Sequence, residues 1–280
     1  MTPWLFSTNA KIFTILCLIF AVFSGMLDFA FSVQIIYFDY FSPLVLTCAS
    51  GIPIKPGEET ISSTEKDSSQ KPFKLSNEQK DAFSLNQELA DILIGLCLGD
   101  LCIEKLKTSI NARLRFLQSI NHTDYLDCLW GEFQDYCRQG PKIINRKANK
   151  TTGKEYSSIY FTTFSLPCFN AYYDLFYQDG RKIVPQKIGE LLTPIGLAFF
   201  ICDDGDYNKK TQRVTLNTQG FTKEEVDLLA KALNNNWDLE CVVYQTGKGC
   251  IISIPRKSLP ILQKICAPKI PPMMLYKIGL

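Results

Sequence analysis

Two aspartates, Asp100 and Asp204, each close a long apolar run, and paired carboxylates so placed are natural ligands for a hard divalent cation. The first run is Leu93-Ile94-Gly95-Leu96-Cys97-Leu98-Gly99-Asp100. The second is Leu197-Ala198-Phe199-Phe200-Ile201-Cys202-Asp203-Asp204-Gly205. A cation held by carboxylates can make water nucleophilic, neutralise phosphate charge and stabilise a leaving oxygen, the three needs of phosphodiester hydrolysis. An all-oxygen donor set favours Mg2+, with Mn2+ able to substitute. Other chemistries are excluded. His122 is the single histidine, so no mechanism needing two imidazoles is available. The 11 cysteines form no CxxC pair and no zinc-binding spacing, and their odd number fits a reducing compartment.

Helices must position these acids. Both runs are hydrophobic almost all round, which predicts burial. Packed side by side, they would bring Asp100 and Asp204 together at one end of their interface. Gly95 and Gly99 lie four apart, where missing side chains permit close helix approach. Ala198 and Cys202, also small and four apart, are expected to face them.

With both copies aligned, the chain resembles the LAGLIDADG homing endonucleases in their single-chain, two-motif form. Leu93–Leu101 and Leu197–Gly205 fill the nine motif positions, and the critical acids fall on Asp100 and Asp204. The resemblance covers roughly residues 84–280. It implies an α+β fold of two pseudo-symmetric αββαββα repeats, with central paired motif helices and two antiparallel sheets forming a DNA-binding saddle. It also implies a monomer that cuts double-stranded DNA with Mg2+ held by Asp100 and Asp204. Lys182 and Lys277 match the basic residues flanking the family's active sites, where they would polarise the water network or stabilise phosphate charge. Members of the family can instead act as RNA maturases that help their host group I intron to splice, which makes intron RNA an alternative partner. Leu101, in place of the usual small residue, and Asp206, near the phosphate path, weigh toward that alternative.

The second half echoes the first. The aspartates are 104 residues apart, the two Ser-Leu-Pro turns (Ser165 and Ser258) 93, and the lysines 95, as expected of a duplication with drifted loops. Arg113–Gln118 and Arg213–Asn217 alternate as half-buried strands. Leu114, Phe116, Val214 and Leu216 would face inward. Arg113, Arg115, Gln118, Arg213, Thr215 and Asn217 would then lie on the open face and read bases. Asp124–Tyr136 and Phe169–Tyr177 read as helices, and Tyr156–Phe164 and Cys250–Ile254 as strands. Thr222 with Glu225 is a capping-box pattern. Lys142, Arg146, Lys147, Lys150, Lys209 and Lys210 are expected in loops, contacting phosphates.

Net charge is only +2, yet the charge is patterned. No acid occurs in 136–154 or after Glu240, while each stretch carries six basic residues. Such patterning fits a polyanionic partner. Repeat one is placed at 84–185 and repeat two at 186–280. Residues 50–83, rich in Pro, Ser, Thr, Glu and Lys, read as a flexible linker. Residues 1–49 form an apolar leader able to serve as a signal sequence, a buried helix or a membrane contact before removal. Trp4–Lys11, Leu18–Leu27 and Ala30–Val33 resemble the start of cytochrome oxidase subunit 1. That resemblance implies a frame running from an exon into an intron, and a mitochondrial location.

Overall fold

A computed structural model describes residues 74–146 and 156–280 of the chain. The leader, the linker up to residue 73, and the candidate DNA contacts Lys147 and Lys150 lie outside the described residues. So does the side chain of Arg146.

A short helix, α1 (Asn77–Asp81), falls within the segment assigned to the linker. Ser76 and Gln79 close a capping box around its first turn. Phe83 then anchors the chain between the rings of Tyr136 and Phe164, at 5.7 and 6.4 Å. A cap and one aromatic anchor fix what polar composition alone reads as free.

The first half continues through α2 (Gln87–Leu98), β1 (Cys102–Glu104), β2 (Arg113–Ser119) and α3 (Thr123–Phe133). It is completed by β3 (Lys142–Arg146), β4 (Tyr156–Thr162) and α4 (Asn170–Phe176), and a small hairpin, β5 (Tyr177–Gln178) with β6 (Arg181–Lys182), follows. After a one-turn helix, α5 (Ile188–Leu191), the second half repeats the order. It contains α6 (Pro194–Asp204), β7 (Gly205–Asn208), β8 (Arg213–Leu216), α7 (Lys223–Trp237), β9 (Val242–Thr246), β10 (Gly249–Ile254) and α8 (Leu259–Cys266). Each half thus runs αββαββα, and each folds one antiparallel four-stranded sheet, ordered β1-β2-β4-β3 and β7-β8-β10-β9.

Alternation along the strands sets which face is covered. Leu114 and Phe116 of β2 and Ile159 and Phe161 of β4 are buried beneath α3. Phe116 stacks on Phe161 at 4.3 Å, and Trp130 meets Phe161 edge-on at 5.3 Å. In the second half Val214, Leu216, Ile252 and Ile254 take the same inward role, with Val226, Leu229 and Leu233 of α7 in the same core. The expected capping box opens α7, with Thr222 and Glu225 bonding reciprocally.

The motif helices α2 and α6 meet at glycine, though not at the predicted partners. A Cβ on Gly95 would lie 1.9 Å from the Gly196 carbonyl oxygen, and one on Gly196 would lie 2.9 Å from the Asp91 carbonyl. The crossing is therefore Gly95 on Gly196, a residue N-terminal to the motif. Gly99 faces the Asp203 side chain, whose Cβ and Oδ2 are each 2.5 Å from where its own Cβ would be. Ala198 and Cys202 are buried, but they are not the residues these glycines meet. The backbones approach so closely that a main-chain carbonyl occupies the gap, and even alanine would be too large there.

Candidate active site and nucleic-acid interface

The two motif helices end differently. Helix α2 stops at Leu98, where Gly99 leaves helical geometry (φ −93°, ψ −139°). Gly99 and Leu101 still bond back to Leu96, but the Asp100 N–H between them has no main-chain acceptor. It donates instead to Asp203 Oδ2 across the helix interface, at 3.0 Å. Helix α6 runs on through Asp204, so that residue is still helical. Its carbonyl accepts the backbone N–H and the side-chain Nδ2 of Asn217, at 2.9 and 3.0 Å.

Both flanking lysines reach these ends. Lys182, on β6, donates from Nζ to the carbonyls of Gly99 and Leu101 at 2.6 and 2.7 Å. Lys277 lies in the 3-10 turn Pro272–Ile278 and donates to the Gly205 carbonyl at 2.7 Å. Carbonyls at a helix C-terminus carry partial negative charge and lack helical donors, so cations are favoured there. The two amines to which the resemblance gives a part in the water network hold, in the structure, the main chain from which the acids project.

The acids lie in a strained electrostatic setting. Burial, then the negative charge of Asp100, pushes the Asp204 carboxyl up to about 7, against the pull of Lys182 and Lys277. Burial and Asp100 likewise push Asp203 up to about 8, although the Tyr125 hydroxyl donates to its Oδ1 at 2.9 Å. Buried carboxyls raised by a neighbouring negative charge, as Asp203 and Asp204 are, suit a site that awaits a cation. Among the described residues no cluster of three or more His, Cys, Asp or Glu could hold a metal by itself. Two carboxylates, completed by water and substrate phosphate, suit Mg2+, which is rarely caged by protein alone. Asp100 and Asp204 therefore fit that ion. The Cys97 thiol, pushed up to about 12 by burial, is packing rather than chemistry.

Gln118 departs from its expected place. It shares the inward-facing parity of Leu114 and Phe116, and at the strand end that direction points to the acid, where Nε2 donates to Asp100 Oδ2 at 3.3 Å. Asn217 keeps the open-face parity of Arg213 and Thr215 and is exposed, and its amide also donates to the Asp204 carbonyl. An open cavity of about 620 Å3 leads from Asp100 across the first sheet past Arg115, Leu117, Tyr156 and Ser158.

Arg113 and Arg115 do lie on that open face, but they are not free. Glu104 on the neighbouring strand binds Arg113 at 2.6 Å and Arg115 at 3.2 Å. Burial works to raise the Glu104 carboxyl, yet the two guanidiniums outweigh it and hold it below the ordinary value. The second sheet differs. Arg213 faces Asn208 and Thr215 faces the exposed Asp206, and neither pairing is an ion pair. Lys142 and Arg146, expected in a loop, belong to β3, where they pair in register with Tyr160 and Tyr156. The strand forms because Lys142, Ile143, Ile144, Asn145 and Arg146 complete the ladder beside β4. Lys142 also donates to Gln139. Lys209 and Lys210 are exposed in the turn between β7 and β8, as expected.

Sequence reasoning missed Asp203, Tyr125 and Glu104, and passed over Tyr160, Thr162 and Tyr244, which share the open faces by register. Alternation in β4 could have found Tyr160 and Thr162. Nothing local marks Tyr125, which lies 78 residues from Asp203.

A duplicated helix-and-sheet unit, with acids converging where its two buried helices cross and a polar sheet on either side, defines the class of protein. The chain belongs to the LAGLIDADG DNA endonuclease family, whose model matches residues 90–262. It is 32% identical over 200 residues to the cytochrome b mRNA maturase bI2 of Debaryomyces hansenii, covering 70% of this chain and 75% of that protein. It is also 32% identical over 206 residues to the probable intron-encoded endonuclease 1 of Wickerhamomyces canadensis, covering 71% and 87%. The structure of the homing endonuclease I-WcaI bound to its DNA recognition sequence is similar, with a TM-score of 0.66 and 29% identity, over 70% of this chain and 88% of that one.

Proposed function

We propose that this chain is an intron-encoded, site-specific endonuclease that makes double-strand breaks in DNA by Mg2+-dependent hydrolysis, in the mitochondrion, and so promotes homing of its intron. The observation that carries the reading is the delivery of one carboxylate from each motif helix to a shared junction. Asp100 and Asp204 would hold the ion, which when bound supplies an activated water and neutralises phosphate charge. Gln118 orients the Asp100 carboxylate through its hydrogen bond. Lys182 and Lys277 keep both motif ends in place and add positive charge beside the phosphate path. Two sites within one chain let a monomer address both strands. The open faces of the sheets offer Arg113, Arg115, Lys142, Arg213 and Thr215 to DNA, with the lysines at the strand ends meeting phosphates.

The target follows from the resemblance of Trp4–Lys11, Leu18–Leu27 and Ala30–Val33 to cytochrome oxidase subunit 1. It would be the joined exon sequence just beyond the codon for Val33 in an intronless oxidase gene. A second reading is favoured by the relative named a cytochrome b mRNA maturase, and by Asp206, which stands exposed on the strand that begins at Gly205. On that reading the same surfaces bind the host intron RNA without cutting DNA.

The test incubates the full chain and Mg2+ with a supercoiled plasmid carrying the joined exons, and with the same exons interrupted by the intron. Linear product from the uninterrupted plasmid alone is expected, and Asp100→Asn and Asp204→Asn should each abolish it while retaining DNA affinity. An intact plasmid, with tight binding of the intron RNA, would overturn the endonuclease reading in favour of the maturase.

A further inference from the structure

The two catalytic acids are held by unlike devices, because the two motifs end unlike each other. Asp204 is the last residue of a continuous helix, and its backbone needs nothing from the other repeat. Asp100 stands two residues beyond its helix, with a main-chain N–H that no carbonyl accepts. That N–H is taken by Asp203 Oδ2, and the other oxygen of the same carboxylate accepts the Tyr125 hydroxyl of α3. Tyr125 is itself almost fully buried, at 1% exposure, so the brace rests on packed core. The motif position of Asp203 is occupied in the first copy by Gly99, which has no side chain to return the favour. Gly99 is also the residue that makes room for Asp203, since any Cβ there would collide with it.

We infer that Asp203 is a positioning residue: through Asp100 N–H and Tyr125 it fixes the end of the first motif, and so makes the two strand-cutting centres inequivalent. The inference rests on the endonuclease reading only for its effect on cleavage. Without the brace, Lys182 still ties the Gly99 and Leu101 carbonyls, but the Asp100 N–H between them loses its acceptor, so this peptide can tip and carry the carboxylate out of the geometry that Gln118 supports. Asp204 keeps its helical position. Misplacing a catalytic group by about 1 Å costs on the order of a hundredfold in rate, so even partial loss should be visible on one strand.

Three variants of the full chain separate this role from a merely structural one. Asp203→Ala removes both bonds. Asp203→Asn keeps an oxygen for the Asp100 N–H and offers an amide donor to the Tyr125 oxygen. Tyr125→Phe removes the buttress alone. On a linear joined-exon duplex, end-labelled on each strand, Asp203→Ala should slow one strand at least about tenfold more than the other. On the supercoiled joined-exon plasmid nicked circles should accumulate, and the KM for DNA should not move. Asp203→Asn should restore balanced cutting, and Tyr125→Phe should fall between them. Equal slowing of both strands, or none, would overturn the inference.

Hydrogen exchange of the Asp100 amide, read by NMR on the same proteins, decides the matter even if the wild-type chain leaves the plasmid intact and the endonuclease reading fails. Protection should drop at least about tenfold in Asp203→Ala and survive in Asp203→Asn, since opening of a bonded amide governs its exchange. Protection unchanged in Asp203→Ala would overturn the brace.

Discussion

Replacing Gly95 by alanine is the most direct test of the helix crossing that brings the acids together. The added Cβ would sit 1.9 Å from the Gly196 carbonyl oxygen and 2.6 Å from its carbon. Ordinary contact begins near 3.4 Å, so the two backbones must part by about 1.5 Å or the helices must tilt. No side chain can rotate away to relieve the clash, because the obstruction is main chain. Overpacking of this kind costs about 1–3 kcal/mol, and a rigid obstacle puts Gly95→Ala at the upper end. For a domain of this size, about 3 kcal/mol corresponds to a fall in Tm of roughly 6–12 °C. The same displacement at the acids should lower kcat on the order of a hundredfold. Gly131→Ala is the control. Gly131 lies within α3 with nothing inside 4 Å of its Cβ position, so alanine should stabilise by about 0.5–1 kcal/mol. Differential scanning calorimetry of both variants, with cleavage measured beside it, is the assay. A Gly95→Ala protein that melts with the wild type and cuts at its rate would refute the crossing.

Two further outcomes follow from the charges. Glu104→Gln leaves Arg113 and Arg115 unpaired beside the DNA face. Affinity for non-cognate DNA should rise, and the slope of log affinity against log salt should steepen by about 1, as for one more phosphate neutralised; filter binding with an unchanged slope would count against it. In the metal-stripped protein, the raised carboxyls of Asp203 and Asp204 keep protons that the unfolded chain has lost. Their contribution to stability is therefore full below the unfolded value of 3.8 and is lost as pH rises through about 7 to 8. Urea melts in chelator should show a decline across that window, smaller in Asp204→Asn and offset by added Mg2+; a rise in stability over the same range would contradict the assignment.

Much of this protein was legible along the chain because its signals are local. An apolar run that ends in aspartate, an alternating strand, or Thr222 three residues before Glu225 each declares itself within a dozen positions. The repetition of that order after 104 residues singled out Asp100 and Asp204, and the family resemblance added Lys182 and Lys277. What only the tertiary structure decided lies between segments distant in sequence. Gly95 found Gly196 rather than Ala198, because the crossing point depends on the pitch and tilt of two packed helices and not on where small residues recur. Gln118 turned to Asp100, because strand parity and the end of the sheet outweigh its resemblance to a base reader. Glu104 reached two arginines only through the register of β1 with β2. Asp203 became the partner of Asp100 for a similar reason. Helix α2 ends early and leaves one N–H without a main-chain acceptor, and it takes the side-chain acceptor that the fold brings within reach.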